Sequence, residues 1–271
     1  MAGTGLDWTA ELGCWLAPFL ARLGHKARRQ MCPLYIAGLI GPGDRKGVQP
    51  MAERLAPGEY DRLHHFVSAG VWDAVPLEEE LLVQANRLVV GRDAVLVIDD
   101  TALPKKGTHS VGVAPQYASA LGKNANCQTL VSLTLARGEV PVMVALRLFL
   151  PESWTSDRKR LERAGVPDGD RTPRTKPEIA LAEIDRVMPA GMRFGCALAD
   201  AGYGLSAPFR GGSRRAVLPG RSASRVTLRC ILPTSISSFP SLVETAPVSA
   251  MSRMSCRYRL KTYWPRPDGE W

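Results

Sequence analysis

Two adjacent aspartates, Asp99-Asp100, close the apolar run Ala94-Val95-Leu96-Val97-Ile98, and another, Asp200, closes the run Phe194–Ala199. Carboxylates gathered at strand ends are hard oxygen ligands. They suit Mg²⁺ or Mn²⁺, which bind one or two carboxylates and keep several waters. A pair of such ions can activate a water or a 3′-hydroxyl and steady the leaving oxygen of a phosphoryl transfer. An aspartate at a strand end can equally do no more than cap a turn. Side chains alternate along a strand, so Asp99 and Asp100 face opposite ways. Asp100 shares its face with Leu96 and Ile98, and Asp99 shares its face with Val97, so the apolar run leaves the choice between them open.

The elements that must position these acids follow from pattern. Thr129–Leu135 alternates polar and apolar residues, a strand signal. Arg137-Gly138-Glu139 is a turn, and the Val-rich run Val140–Phe149 completes a hairpin. Lys176–Met188 is an amphipathic helix with Ile179, Leu181, Ile184 and Val187 on its apolar face. An antiparallel trio followed by a helical crossover to a strand beside the first is an α/β arrangement. It brings Asp200 next to Asp100.

Residues 1–90 read as helical. Leu6–Leu23 has helical spacing with Asp7 as a candidate cap, Glu59–Ala69 places Tyr60, Leu63, Phe66 and Val67 on one face, and Glu78–Val90 follows Pro76. His64-His65 reads as a helix face and not as a ligand pair. No run of about 18 apolar residues occurs, so no transmembrane helix is expected. The start lacks a basic n-region, and no signal peptide is expected. Six scattered cysteines without a CxxC pair speak against a zinc site or a disulfide framework, and for reduced thiols in a cytoplasm.

Between the first two strands lie Thr101, Lys105, Lys106 and Lys123 in Gly-bearing segments, then Gln128. Such lysines could meet DNA phosphates or stand in solvent. Gln128 could bond a base, backbone or a strand neighbour. Trp154 with Arg158-Lys159-Arg160 could form a basic, aromatic DNA-facing segment or a solvated helix face. The net charge of +9 is uneven: residues 205–271 hold 11 Lys+Arg against 3 Asp+Glu, whereas residues 1–204 hold 24 against 23. Ser occurs 11 times in that last stretch and 6 times before it. A Ser-, Arg- and Pro-rich composition buries a core poorly.

Leu96-Val97-Ile98-Asp99-Asp100-Thr101 with Pro104-Lys105-Lys106-Gly107 resembles the first-aspartate motif of DDE superfamily transposases of bacterial insertion sequences. Gly122–Gln128 resembles that group's entry to the second strand, and Ala199-Asp200-Ala201-Gly202-Tyr203-Gly204 its second-aspartate motif. Tyr35–Asp73 is similar to its N-terminal region, and the likeness covers roughly residues 30–210. The resemblance implies an RNase H-like mixed sheet, incomplete here, preceded by a helical, DNA-binding region over 1–90. The partial catalytic domain then spans 91–204.

It further implies Mg²⁺ (or Mn²⁺) held by Asp100 and Asp200, the aspartate before Thr being the catalytic one in relatives. Asp99, Thr101, Lys105, Lys106, Lys123, Gln128 and Tyr203 would support the metal or contact DNA. The implied partners are transposon-end and target DNA and, at full length, further copies of the chain. The implied place is the bacterial cytoplasm at the nucleoid.

The family's third acid, a glutamate, has no recognisable counterpart. Glu244, Asp268 and Glu270 follow Asp200 in no matching context. Residues 205–271 are therefore expected to be a frameshifted or disordered tail, and the chain as written an inactive transposase. A non-catalytic DNA-binding regulator of full-length transposase, or a decayed product, stays open beside that reading.

Overall fold

A computed structural model describes residues 8–43, 45–68, 73–118, 121–216 and 227–231. Five helices come first: α1 (Trp8–Arg22), α2 (Lys26–Ile40), α3 (Val48–Leu55), α4 (Tyr60–Ser68) and α5 (Val75–Val89). Asp7, the candidate cap of α1, lies outside the described residues. Met31, Met51, Ala52, Leu63 and Phe66 form a small core among α2, α3 and α4. Of the four residues expected on the inner face of α4, Leu63 and Phe66 are buried but Tyr60 and Val67 are exposed. A nine-residue helix packed by α2 and α3 buries a narrow stripe, and those two fall outside it.

The sheet follows: β1 (Val95–Pro104), β2 (Ala114–Ala118), β3 (Lys123–Arg137) and β4 (Val140–Phe149). The turn between β3 and β4 places Gly138 at φ +60°, where a side chain would be strained. Short helices α6 (Glu152–Thr155) and α7 (Arg158–Arg163) lead to the crossover helix α8 (Lys176–Val187). Then come β5 (Cys196–Asp200), α9 (Ala201–Leu205), α10 (Ala207–Ala216) and β6 (Thr227–Ile231). β3 runs antiparallel to β1, β2 and β4, while β5 lies parallel to β1 and β6 parallel to β5. The order β4-β3-β1-β5-β6, with a helical crossover into the parallel pair, is RNase H-like.

One face of the sheet is the core. Leu96, Ile98, Val131, Leu133, Leu135, Ala197 and Ala199 pack against Leu82, Ala85 and Val89 of α5 and Ile179, Ala180, Ile184 and Val187 of α8. Leu96 and Ile98 are each 1% exposed, worth about 1.5–3 kcal/mol apiece on burial.

Two sequence readings change here. The aspartate pair does not end β1: the strand runs on to Pro104 because the fifteen-residue β3 keeps pairing with it as far as Pro104↔Cys127. What stops beside the pair is the parallel ladder, whose last partners are Ile98↔Ala199. Nor does the composition break at 205 coincide with the end of the fold. α10 packs on α8, and β6 extends the sheet along Cys196–Asp200. Residues 232–271, the remainder of the expected tail, lie outside the described residues.

Candidate active site

Strand parity places Asp100 on the face of Leu96 and Ile98, toward α8, and leaves Asp99 on the opposite face. The parallel ladder carries Asp200 to the neighbouring strand end. There Asp200 is both the last residue of β5 and the N-cap of α9, its Oδ1 accepting the Tyr203 N–H at 3.1 Å. Aspartate is a preferred cap because it satisfies a helix N–H that has no partner within the helix. A Cβ on Gly202 would stand 3.3 Å from that same oxygen, so the capped turn leaves little room for a side chain.

Tyr203 reaches back across the strand ends. Its ring is buried, 5.5 Å from the ring of Phe209, and its hydroxyl donates to Asp100 Oδ1. Burial, then the Asp100 bond and the charges of Asp100, Asp200 and Asp99, hold its pKa far above the ordinary tyrosine value. The other oxygen of Asp100 accepts from Lys176 Nζ at 2.5 Å. Lys176 is the first residue of α8. A capping box fixes that end, Thr175 Oγ1 taking the Glu178 N–H while the Glu178 carboxylate takes the Thr175 N–H.

Asp99 accepts the Asp100 N–H at 2.8 Å. Its residue surface is largely open, yet the carboxyl lies partly sunk among protein atoms, and that desolvation raises its pKa. The Asp100 N–H opposes the rise, and the charges of Asp100 and Asp200 add to it.

All three aspartates line one cavity of about 920 Å³, whose wall also holds Glu152, Arg174, Lys176, Glu178 and Tyr203. The donor set fits a hard divalent ion that needs one or two carboxylates and completes its shell with water. Asp100 and Asp200 are the residues that could hold it. Among the described residues no group of three or more His, Cys, Asp or Glu side chains is arranged about one point. Glu244, Asp268 and Glu270 lie outside the described residues.

The remaining sequence candidates fall elsewhere. Thr101, Lys105, Lys106, Lys123 and Gln128 do not line the cavity. Lys105 and Lys106 are exposed on the segment leaving β1, which Asn126 pins by donating to the carbonyls of Lys105 and Gly107. Lys123 is exposed at the start of β3. Gln128 on β3 donates to the Val111 carbonyl at 2.6 Å, so its amide serves the backbone of the segment between β1 and β2.

Trp154 is 1% exposed and donates to the Val113 carbonyl at 2.8 Å, with the Arg160 guanidinium 3.8 Å above its ring. It is a core anchor and presents no ring for stacking on a base. The sequence reading passed over Lys176 and Arg174. Thr175-Lys176-Pro177-Glu178 was legible as a helix start, but nothing in it names a partner 76 residues away.

Comparison with known proteins places these residues in context. The model of the DDE superfamily endonuclease family matches residues 18–229. The chain is also 31% identical over 169 residues to a probable transposase for insertion sequence element IS701 from Microchaete diplosiphon. That alignment covers 62% of this chain and 41% of the relative, so the chain spans about two fifths of the length of the protein it matches.

Proposed function

This chain belongs to the DDE superfamily of endonucleases, and on that footing we propose that it is an insertion-sequence transposase segment that cleaves and joins DNA strands in transposition. One observation carries the reading. Asp100 and Asp200, a hundred residues apart, line one cavity and are both bound by Tyr203. Mg²⁺ or Mn²⁺ held there would supply Lewis-acid activation of the attacking oxygen and relief of charge on the leaving one.

The chain's own residues do the rest. The Tyr203 hydroxyl orients the Asp100 carboxylate, and the Tyr203 N–H orients Asp200. Arg174 and Lys176 put positive charge on the cavity wall, where a phosphodiester would approach. The exposed Lys105, Lys106 and Lys123 extend that charge along the DNA, and helices α1–α5 provide a further DNA-binding surface. The partners are transposon-end and target DNA and other copies of the chain, in the cytoplasm at the nucleoid. No helix among the described residues is long and apolar enough to cross a membrane.

Incubating the protein with a labelled duplex bearing the element's ends, with Mg²⁺, with Mn²⁺ and with chelator, tests this. The expected result is metal-dependent nicking at the ends that disappears in Asp100→Asn and in Asp200→Asn, which would also overturn the inactivity expected of this chain from its sequence. Cleavage that survives both substitutions, or none by the wild-type chain, overturns the reading.

A further inference from the structure

Asp100 is held on both oxygens, by the Tyr203 hydroxyl on Oδ1 and by the Lys176 ammonium on Oδ2. Among the described residues, Lys176 is the cation within ion-pair distance of any of the three cavity aspartates. Asp100 and Asp200 sit at neighbouring strand ends on one cavity, and a nearby positive charge relieves the repulsion between their carboxylates.

Two features make Lys176 an exchangeable partner. Its backbone is fixed by the Thr175–Glu178 capping box, but its ammonium stands at the end of a flexible four-carbon stem. Its side chain remains 30% exposed on the cavity wall, so it can leave Asp100 without entering the core. The Lys176 ammonium already stands 2.5 Å from Asp100 Oδ2, and it would repel a divalent ion taken by that oxygen.

We propose that Lys176 is a resident counter-ion that exchanges with the divalent cation. Its ammonium neutralises Asp100 in the metal-free protein and withdraws when a divalent ion is taken by Asp100 and Asp200. The inference rests on the reading of these acids as a metal centre. It carries a definite sign: the lysine competes with the metal and does not hold the carboxylate ready for it.

Mn²⁺ titrated into the full chain, with free Mn²⁺ read by electron paramagnetic resonance, tests it on wild type, Lys176→Met and Lys176→Gln. Both variants are expected to bind Mn²⁺ about five-fold tighter, the scale of a partly exposed ion pair. The gain must vanish when Asp200→Asn is added. The variants should also melt lower than wild type without metal, with the gap closing at saturating Mn²⁺. Equal or weaker binding by a variant that still melts cooperatively overturns the exchange while leaving the metal centre standing, and so does tightening that survives Asp200→Asn. No uptake by wild type or either variant removes the metal centre itself, and the exchange with it. Uptake by the variants alone supports the exchange.

Discussion

The Tyr203 hydroxyl, carried on the turn that Asp200 caps, donates to the carboxylate of Asp100, so one side chain joins the two acidic strand ends. Replacing Tyr203 with Phe removes that donor and keeps the ring packed on Phe209. A buried hydrogen bond to a charged group contributes about 1.5–3 kcal/mol, and Lys176 still holds the other oxygen. A loss near the lower end, about 1.5 kcal/mol in urea denaturation, is therefore expected. The phenol should also stay protonated as pH passes about 10, the ordinary tyrosine range. Ultraviolet difference absorbance reads this directly. A full complement of tyrosines titrating together would contradict the buried bond.

Asp99 gives a pH prediction of opposite sense to a paired acid. Its pKa is raised in the folded protein, first by desolvation and then by the charges of Asp100 and Asp200, against the pull of the Asp100 N–H. The native state thus binds the proton more tightly than the unfolded chain. The contribution of Asp99 is fully present below the ordinary carboxylate pKa of about 3.9 and is lost as pH rises through the folded value. Asp99→Asn mimics the neutral acid. It should be more stable than wild type at neutral pH, with the difference closing as pH falls below the carboxylate range. Paired urea melts at both pH values decide it, and a variant less stable at neutral pH would count against the desolvation and neighbouring charge that raise the Asp99 pKa.

Arg147 on β4 is the hub of a network that ties the helical region to the sheet. Its guanidinium clasps both oxygens of Glu78 on α5, at 2.6 and 2.5 Å, and Glu183 on α8 at 2.8 Å. Arg186 closes the set on Glu183 at 2.7 Å. The Arg147 hydrogen bond chiefly, helped by the charges of Arg147 and Arg186 and opposed by burial, holds the Glu78 carboxyl below its ordinary pKa. Arg147→Met leaves Glu183, whose side chain is 10% exposed, with only Arg186 of this pair of cations. A loss of about 2–4 kcal/mol at neutral pH is expected. Because the Glu78 pKa is depressed, its stabilisation is present above the unfolded value and fades as pH falls through the folded one. The gap between wild type and variant should therefore narrow in acid, a trend that denaturation across the carboxylate range reads.

The parts of the fold that were legible in sequence are those where burial enforces a pattern. Leu96 and Ile98, the alternation through β3 and the apolar stripe of α8 announced the sheet and its crossover, and with them the meeting of Asp100 and Asp200. Whether Asp100 or Asp99 turns toward α8 was not legible, because Val97 is as apolar as Ile98. Only the position of α5 and α8 on one face separates them. Lys176 reads as an ordinary solvated helix start, since its partner is fixed by topology and not by spacing. Trp154 with Arg158-Lys159-Arg160 left both a basic, aromatic DNA-facing segment and a solvated helix face open in the sequence. The same residues bury the ring under Arg160, with the indole N–H spent on Val113. Strand β6 lies in a Ser- and Arg-rich stretch whose composition hid its place beside β5.

Thr175 tests how the crossover helix delivers Lys176 to Asp100. Its hydroxyl accepts the Glu178 N–H, and Glu178 in turn binds the Thr175 N–H at 2.7 Å and the hydroxyl at 2.8 Å. Those bonds keep the Glu178 pKa low, with the Thr175 N–H the larger cause. Thr175→Ala breaks the reciprocal pair and should cost about 1 kcal/mol in urea denaturation, whereas Thr175→Ser, which keeps the oxygen, should cost a few tenths at about the same position. Loosening the first turn also frees the backbone that carries Lys176. Amide exchange at the start of α8 is therefore expected to quicken in the alanine variant and not in the serine variant. Equal losses in the two would show that packing, and not the cap, seats this end of α8 at the cavity.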